Sequence, residues 1–325
     1  MKQEKDYWSQ VILLSLVMAL RMLGLFMALP VLAYGARSLN GATVTLIGMC
    51  IGIHGISQSM LQIPFGYWSD RWQRKPILVL GLIAFAIGSL VAALTNNIWL
   101  VIFGRLLQGA GAVGGVILAA VSDHVTFANQ PRAVAVYGAG IGGAFVLALF
   151  VGPAIYNTFG LSGVFWGSFV CAILALLLVL LLPVNAVKHT TEENIKFIPA
   201  FIQFWHPKAI LPIYFITAGV MHAVLAASFM LLPCLGVKMD LWLYAIPIAI
   251  ALLIIWALPL KDNKISSLTA FIGIMFLGQI FIMIHATAFG FSLFLVAFIV
   301  LESILPALIV QRLTAKKGWS VNGAN

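Results

Sequence analysis

Long apolar runs separated by short polar breaks fill this chain from residue 11 to residue 311. Runs of roughly 20 apolar residues match the length a helix needs to cross a hydrocarbon core. The pattern predicts ten spans: 11–34, 43–66, 77–94, 98–121, 132–155, 163–183, 209–233, 240–260, 266–286 and 289–311. Backbone polar groups have no water to bond inside a bilayer, so each span is expected to be a helix. The first run is too long for a signal-peptide core and is kept as a span. The fold class is therefore all-α, a polytopic membrane protein.

One polar segment is longer than the rest, 184–208, and it separates six spans from four. Its second half, 195–205, is amphipathic and too short to span, which places it at the membrane surface. This divides the chain into an N-terminal bundle (1–187), a linker (188–208) and a C-terminal bundle with a short polar tail (209–325). Met27-Ala-Leu-Pro-Val-Leu32 ends the first span and Met230-Leu-Leu-Pro-Cys-Leu235 ends the seventh, 203 residues later. With the six-then-four split, this predicts two six-span halves in the same orientation. The second half would then end near residue 386, about two helices past residue 325. The expectation is a chain truncated after its tenth helix.

Composition agrees, at 62% hydrophobic and 8% charged. The net charge of +9 does not point to nucleic acid, because the cations sit in loops. With the N-terminus in the cytoplasm, 14 Lys and Arg fall on that side, against Arg37 and Lys238 opposite. Both termini are thus expected in the cytoplasm of a bacterium, with the spans in its inner membrane. Cys50, Cys171 and Cys234 lie in or beside apolar runs and read as small core residues. No nucleophile elbow, metal-ligand spacing or phosphate loop is present, so an enzyme, a cofactor and a metal are not expected. Gly109-Ala-Gly-Ala-Val-Gly114 imitates a dinucleotide fingerprint, but no strand precedes it, and helix packing is the better account.

The loop after the second span carries the most specific order: Gly66-Tyr-Trp-Ser-Asp70-Arg71-Trp-Gln-Arg74-Lys75. Glycine, a small residue, Asp-Arg and then Arg-Lys resembles motif A of the major facilitator superfamily. Trp68 and Gln73 depart from it, standing where that family has Leu and Gly. Losing that glycine removes easy access to positive φ and predicts a strained or altered turn. Arg105-Leu-Leu-Gln108-Gly109-Ala-Gly111-Ala resembles motif B. Gly138, Gly142, Gly143, Gly152 and Pro153 resemble part of the antiporter motif C. Arg21-Met-Leu-Gly-Leu-Phe-Met-Ala-Leu-Pro30 and Gln62-Ile-Pro-Phe-Gly66 are similar to the YajR-type subgroup of drug–proton antiporters.

This resemblance implies the superfamily fold, with a six-helix N-terminal bundle and here an incomplete, four-helix C-terminal bundle. It implies alternating access and proton-coupled export of small amphipathic molecules. The partners are then a small-molecule substrate, protons and lipid, with no obligate protein partner evident. Asp70 would lock the outward-open state at the inner face, joined by Arg71, Arg74, Lys75, Asp123 and Arg132 and by an eleventh helix. Without that helix the lock is expected to weaken. A truncated, transport-inactive protein and a complete ten-span transporter of the drug/metabolite type remain as alternatives. The latter calls for a five-plus-five inverted repeat, which the 203-residue parallel match opposes.

Polar residues inside spans need a reason, since a central charge costs about 2.5–3.5 kcal/mol on insertion scales. Arg105, with Gln108, reads either as a structural arginine on backbone carbonyls or, by motif B, as part of proton coupling. Arg21 either snorkels to the inner surface or lines the substrate cavity. Glu302 is a proton-carrier candidate or a neutral hydrogen-bonded acid. His54 and His222 are titratable candidates or packing residues. Gln58 and Gln62 share a face with His54 and either line a polar path or join helices.

Overall fold

A computed structural model describes residues 2–126 and 129–182, with short helical pieces between 246 and 301. Helix α1 (Lys2–Phe26) is followed by α2 (Leu29–Gly35). Pro30 sits in the first turn of α2, where its missing N–H costs nothing. After a single 3-10 turn and a loop come α3 (Val44–Trp72) and α4 (Arg74–Ala93). Then follow α5 (Ile98–Ala110), α6 (Gly114–Asp123) and α7 (Gln130–Leu181).

Thr43 caps α3 by accepting from Leu46 N, and Asn97 caps α5 by accepting from Trp99 N at 2.9 Å. The two caps meet. Asn40 N donates to Asn96 O at 2.8 Å and Ile98 N donates to Asn40 O at 3.2 Å. These bonds join the loops before α3 and α5 at one end of the bundle. The opposite end carries the turn between α3 and α4.

A straight 52-residue helix would run about 78 Å, far beyond a hydrocarbon core of about 30 Å. α7 breaks at Gly160, where φ is 67° and ψ is −166°. The chain folds back there. Gly152 before the break and Gly167 after it both pack against Met27. α7 therefore supplies the fifth and sixth spans as two arms, separate as the hydropathy pattern predicts.

The fourth span departs from expectation, since 98–121 is not one helix. It is broken at Gly111–Val113 between α5 and α6. Ala112 N donates to Ala110 O and Val113 N to Gly111 O, both at 2.8 Å. Non-helical backbone at membrane depth survives only when enclosed by protein, and Ala112 and Val113 are buried. Glycines allow the enclosure: a Cβ on Gly111 would strike Gly81 O, and one on Gly81 would strike the Val113 side chain.

Five stretches among the described residues are long and apolar enough to cross a membrane, and the last is the two-armed one. They match the first six predicted spans. The described pieces of the eighth, ninth and tenth are helical. The seventh span, the 188–208 linker, His222 and Glu302 lie outside the described residues.

Candidate functional site

The motif-like loop builds a polar cluster at the α3–α4 end. Ser69 Oγ donates to Gly66 O at 2.8 Å, closing the last turns of α3. Arg74, at the start of α4, donates from Nη1 to Ser69 Oγ at 2.8 Å and pairs with Asp70. Its Nε donates to Asp123 Oδ2 at 3.0 Å, at the end of α6. One guanidinium thus ties together α3, α4 and α6. Arg74 and Asp123 are largely enclosed, each with 14% side-chain exposure, while Asp70 stands 63% exposed. Lys75 Nζ donates to Leu180 O and Leu182 O at 2.9 and 2.8 Å. A cation on the last carbonyls of α7 is also favoured by the helix dipole.

Arg71 and Arg132 take other places. The Arg71 guanidinium lies over the Tyr67 ring and that of Arg132 over Trp8, both at 5.1 Å. Gln73 adopts φ 97° and ψ 149°, the one positive φ outside glycine among the described residues. The turn keeps a glycine conformation without the glycine, as the sequence comparison with motif A anticipates.

A second polar network runs through the bundle interior. Arg105, 1% exposed, donates from Nε to Cys50 O at 3.4 Å and from Nη1 to Gln108 Oε1 at 2.8 Å. Gln108 Nε2 donates to Ser89 Oγ at 2.8 Å, and Ser89 donates to Phe85 O at 2.8 Å. The chain stitches α5 to α3 and α4. Arg21, 0% exposed, does not snorkel. Its Nε donates to Gly111 O at 3.1 Å, on a carbonyl of the broken fourth span. Its Nη2 donates to Gln58 Oε1 at 3.3 Å.

His54 and Gln58 meet one turn apart, with His54 Nε2 3.1 Å from Gln58 Oε1. A guanidinium only donates, so Arg21 holds Gln58 with its oxygen forward. That oxygen can only accept, so His54 Nε2 carries a hydrogen. His54 Nδ1 is buried, with the backbone of Arg105 beside the ring. Ser57 bridges α3 to α5, donating to Leu106 O at 2.9 Å.

Of the antiporter-like glycines, Gly152 has a packing reason, because a Cβ there would strike Met27 O. Gly143 has none within 4 Å. Gly138 is buried, Gly142 is half-buried, and Pro153 lies inside the first arm of α7. Ser57, Ser69 and Ser89 escaped the sequence reading as participants. Their signal was small polar residues near charged ones in apolar runs, which helix packing also produces.

The "Inner membrane transport protein YajR" of Escherichia coli K12 is 34% identical over 316 residues, covering 91% of this chain and 68% of that protein. An "Uncharacterized transporter" of Buchnera aphidicola from Schizaphis graminum is 36% identical over 225 residues, 67% of this chain. The chain spans 56% of that relative's length. The "Tetracycline resistance protein, class H" of Pasteurella multocida is 28% identical over 153 residues, covering 46% of this chain and 37% of that protein. Among solved structures, the human organic anion transporter MFSD10 superposes with a TM-score of 0.61 at 15% identity. That overlap covers 93% of this chain and 84% of that one, and supports the fold alone. The sequence signature of the Major Facilitator Superfamily matches residues 14–324, and the chain belongs to that family of membrane transporters.

Proposed function

We propose that the chain works as a secondary transporter that exchanges protons for small amphipathic molecules across a bacterial inner membrane, moving them outward by alternating access. The observation that carries this reading is the Asp70–Arg74–Asp123 bridge. It ties three helices of the first bundle together at one end and holds the motif-like loop in shape. In the proposed cycle that loop docks on the second bundle as an inner gate, closed in the outward-open state and released in the inward-open one. The charge distribution supports both termini, and hence this gate, lying in the cytoplasm. Arg105 and Gln108 hold the buried network that helix motion has to preserve or rearrange. The glycines of α7 resembling an antiporter motif, and the inner-membrane and tetracycline-resistance relatives, support outward antiport.

The test is flux in proteoliposomes carrying the full chain, with tetracycline as the first probe and an imposed pH gradient. Saturable tetracycline movement that stops when the gradient is collapsed supports the proposal. Asp123→Asn is then expected to reduce the rate at least tenfold. Flux that ignores the gradient, or equals that of empty vesicles for a panel of amphipathic probes, overturns it.

A further inference from the structure

The elbow of α7 carries a groove that the proposed transport cycle does not use. α7 starts at Gln130, soon after α6 has ended at the Arg74 cluster, and Lys75 holds its far end at Leu180 and Leu182. Gly160, midway, therefore lies at the opposite end of the bundle. There Ser162 Oγ donates to the carbonyl of Ala93, the last residue of α4, at 2.5 Å. Ile155 and Phe159 of the first arm and Ser162, Gly163 and Trp166 of the second line a groove of about 490 Å³. Ligand sites occupy about 300–1,000 Å³. A Cβ on Gly163 would strike Phe159, so the two arms come this close only with glycine there.

The chemistry of this groove is that of hydrocarbon. Its one side-chain hydroxyl is spent on Ala93 O, and no charged residue stands anywhere from 133 to 187. Phe159 is 72% exposed, which is costly for a ring in water and costless in an apolar medium. Beyond Trp166 the second arm exposes Val170, Leu174 and Leu177 along one face. Residues 166 to 177 span about 16 Å of helix, close to one leaflet of a hydrocarbon core about 30 Å thick. The groove thus continues into the exposed side of a stretch long and apolar enough to cross a membrane. Trp166 stands at its outer limit, where indoles favour the boundary between membrane and water.

We propose that this groove holds one acyl chain of a phospholipid from the leaflet opposite the Arg74 cluster. The chain lies between the arms of α7 and along Trp166, Val170, Leu174 and Leu177. The lipid is recognised by its hydrocarbon. Arg37 stands at the same end of the bundle but not in the lining, so no cation in the groove reads the phosphate. The headgroup's charge is therefore without effect on binding. The site does not depend on the transport function.

Bromine on an acyl chain quenches tryptophan fluorescence on contact. Brominated phosphatidylethanolamine and phosphatidylglycerol, titrated separately into the full chain in detergent, read the groove through Trp166. The Trp166 signal is the difference between the chain and Trp166→Phe, which keeps an aromatic ring in place. The expected result is saturable quenching that Trp166→Phe lacks, with no preference between the two headgroups. Phe159→Ala, at a largely exposed position, should weaken binding several-fold by removing one wall. Ile155→Ala, at a half-buried position, serves if that variant does not fold. Trp166 quenching that rises in proportion to lipid without saturating marks ordinary lipid-facing surface and overturns the site. Absence of Trp166 quenching means that protein covers the groove, from elsewhere in the chain or from a second copy, and overturns it as well. A preference of about tenfold or more for phosphatidylglycerol does the same, since a headgroup contact would then carry the binding. So does binding that survives both wall substitutions unchanged.

Discussion

Gln73 is where one side chain most plainly costs this protein stability. A non-glycine residue at φ 97° and ψ 149° carries about 1–3 kcal/mol of backbone strain. Replacing it by glycine removes that strain but gives the unfolded chain more freedom. Gln73→Gly is expected to stabilise by about 1 kcal/mol, read as a raised midpoint of thermal unfolding in detergent. An unchanged or lowered midpoint would contradict the strain. The two acids on Arg74 should also differ. Asp123 is largely enclosed, and Asp123→Asn is expected to cost about 1–3 kcal/mol as a charged hydrogen bond is lost. Asp70 is mostly in solvent, and Asp70→Asn should cost under about 1 kcal/mol. In the proposed transport cycle its effect is on gating rather than on stability. Equal losses of stability from both variants would mean that enclosure does not set the strength of this cluster.

Between elements, close approach is set by missing side chains. A Cβ on Gly88 would stand 2.5 Å from Gly104 O and 2.6 Å from Gln108 N, so α4 and α5 touch backbone to backbone. Gly88→Ala is expected to cost about 1–3 kcal/mol by overpacking, with loss of monodisperse protein on size exclusion. Gly143→Ala meets nothing within 4 Å and adds helix propensity, so it should be neutral or stabilising by up to about 1 kcal/mol. Equal damage from both would refute this ranking. Gly160 has open space around it too, yet its φ of 67° with ψ of −166° is glycine territory. Gly160→Ala should cost about 1–3 kcal/mol from strain alone, checked by the same unfolding measurement. The two open glycines therefore separate space from backbone conformation as reasons for glycine.

For the whole molecule, the described part of the first 187 residues has its own packed interior. Phe26 meets Phe145 edge-on at 5.0 Å, and the serine, glutamine and arginine network joins four of its helices. Residues 1–187 expressed alone are expected to insert in the membrane and give a protease-resistant fragment. Complete digestion under conditions that spare the full chain would mean the second half is needed to hold the first. Phe145 also touches Phe298 of the tenth span, at 5.3 Å, so some contact across the halves is lost in that fragment.

The number and order of the first six spans were legible in the sequence, because bilayer thickness fixes how long an apolar run must be and helices bond within themselves. The shape of the motif-like loop was legible too, including the awkward turn at Gln73, because charged residues beside a membrane edge and the lack of a needed glycine are both local facts. The break in the fourth span was not. Gly111-Ala-Gly reads as helix packing along the chain, and only the approach of Gly81 and Arg21 from other helices makes a broken backbone tolerable. Nor could the sequence assign partners to the buried arginines. Arg105 and Arg21 look alike in their apolar runs, yet one bonds Cys50 O and Gln108 and the other Gly111 O and Gln58. That difference depends on which carbonyls and amides neighbouring helices bring within 3 Å or so, a matter of tertiary packing rather than of hydropathy.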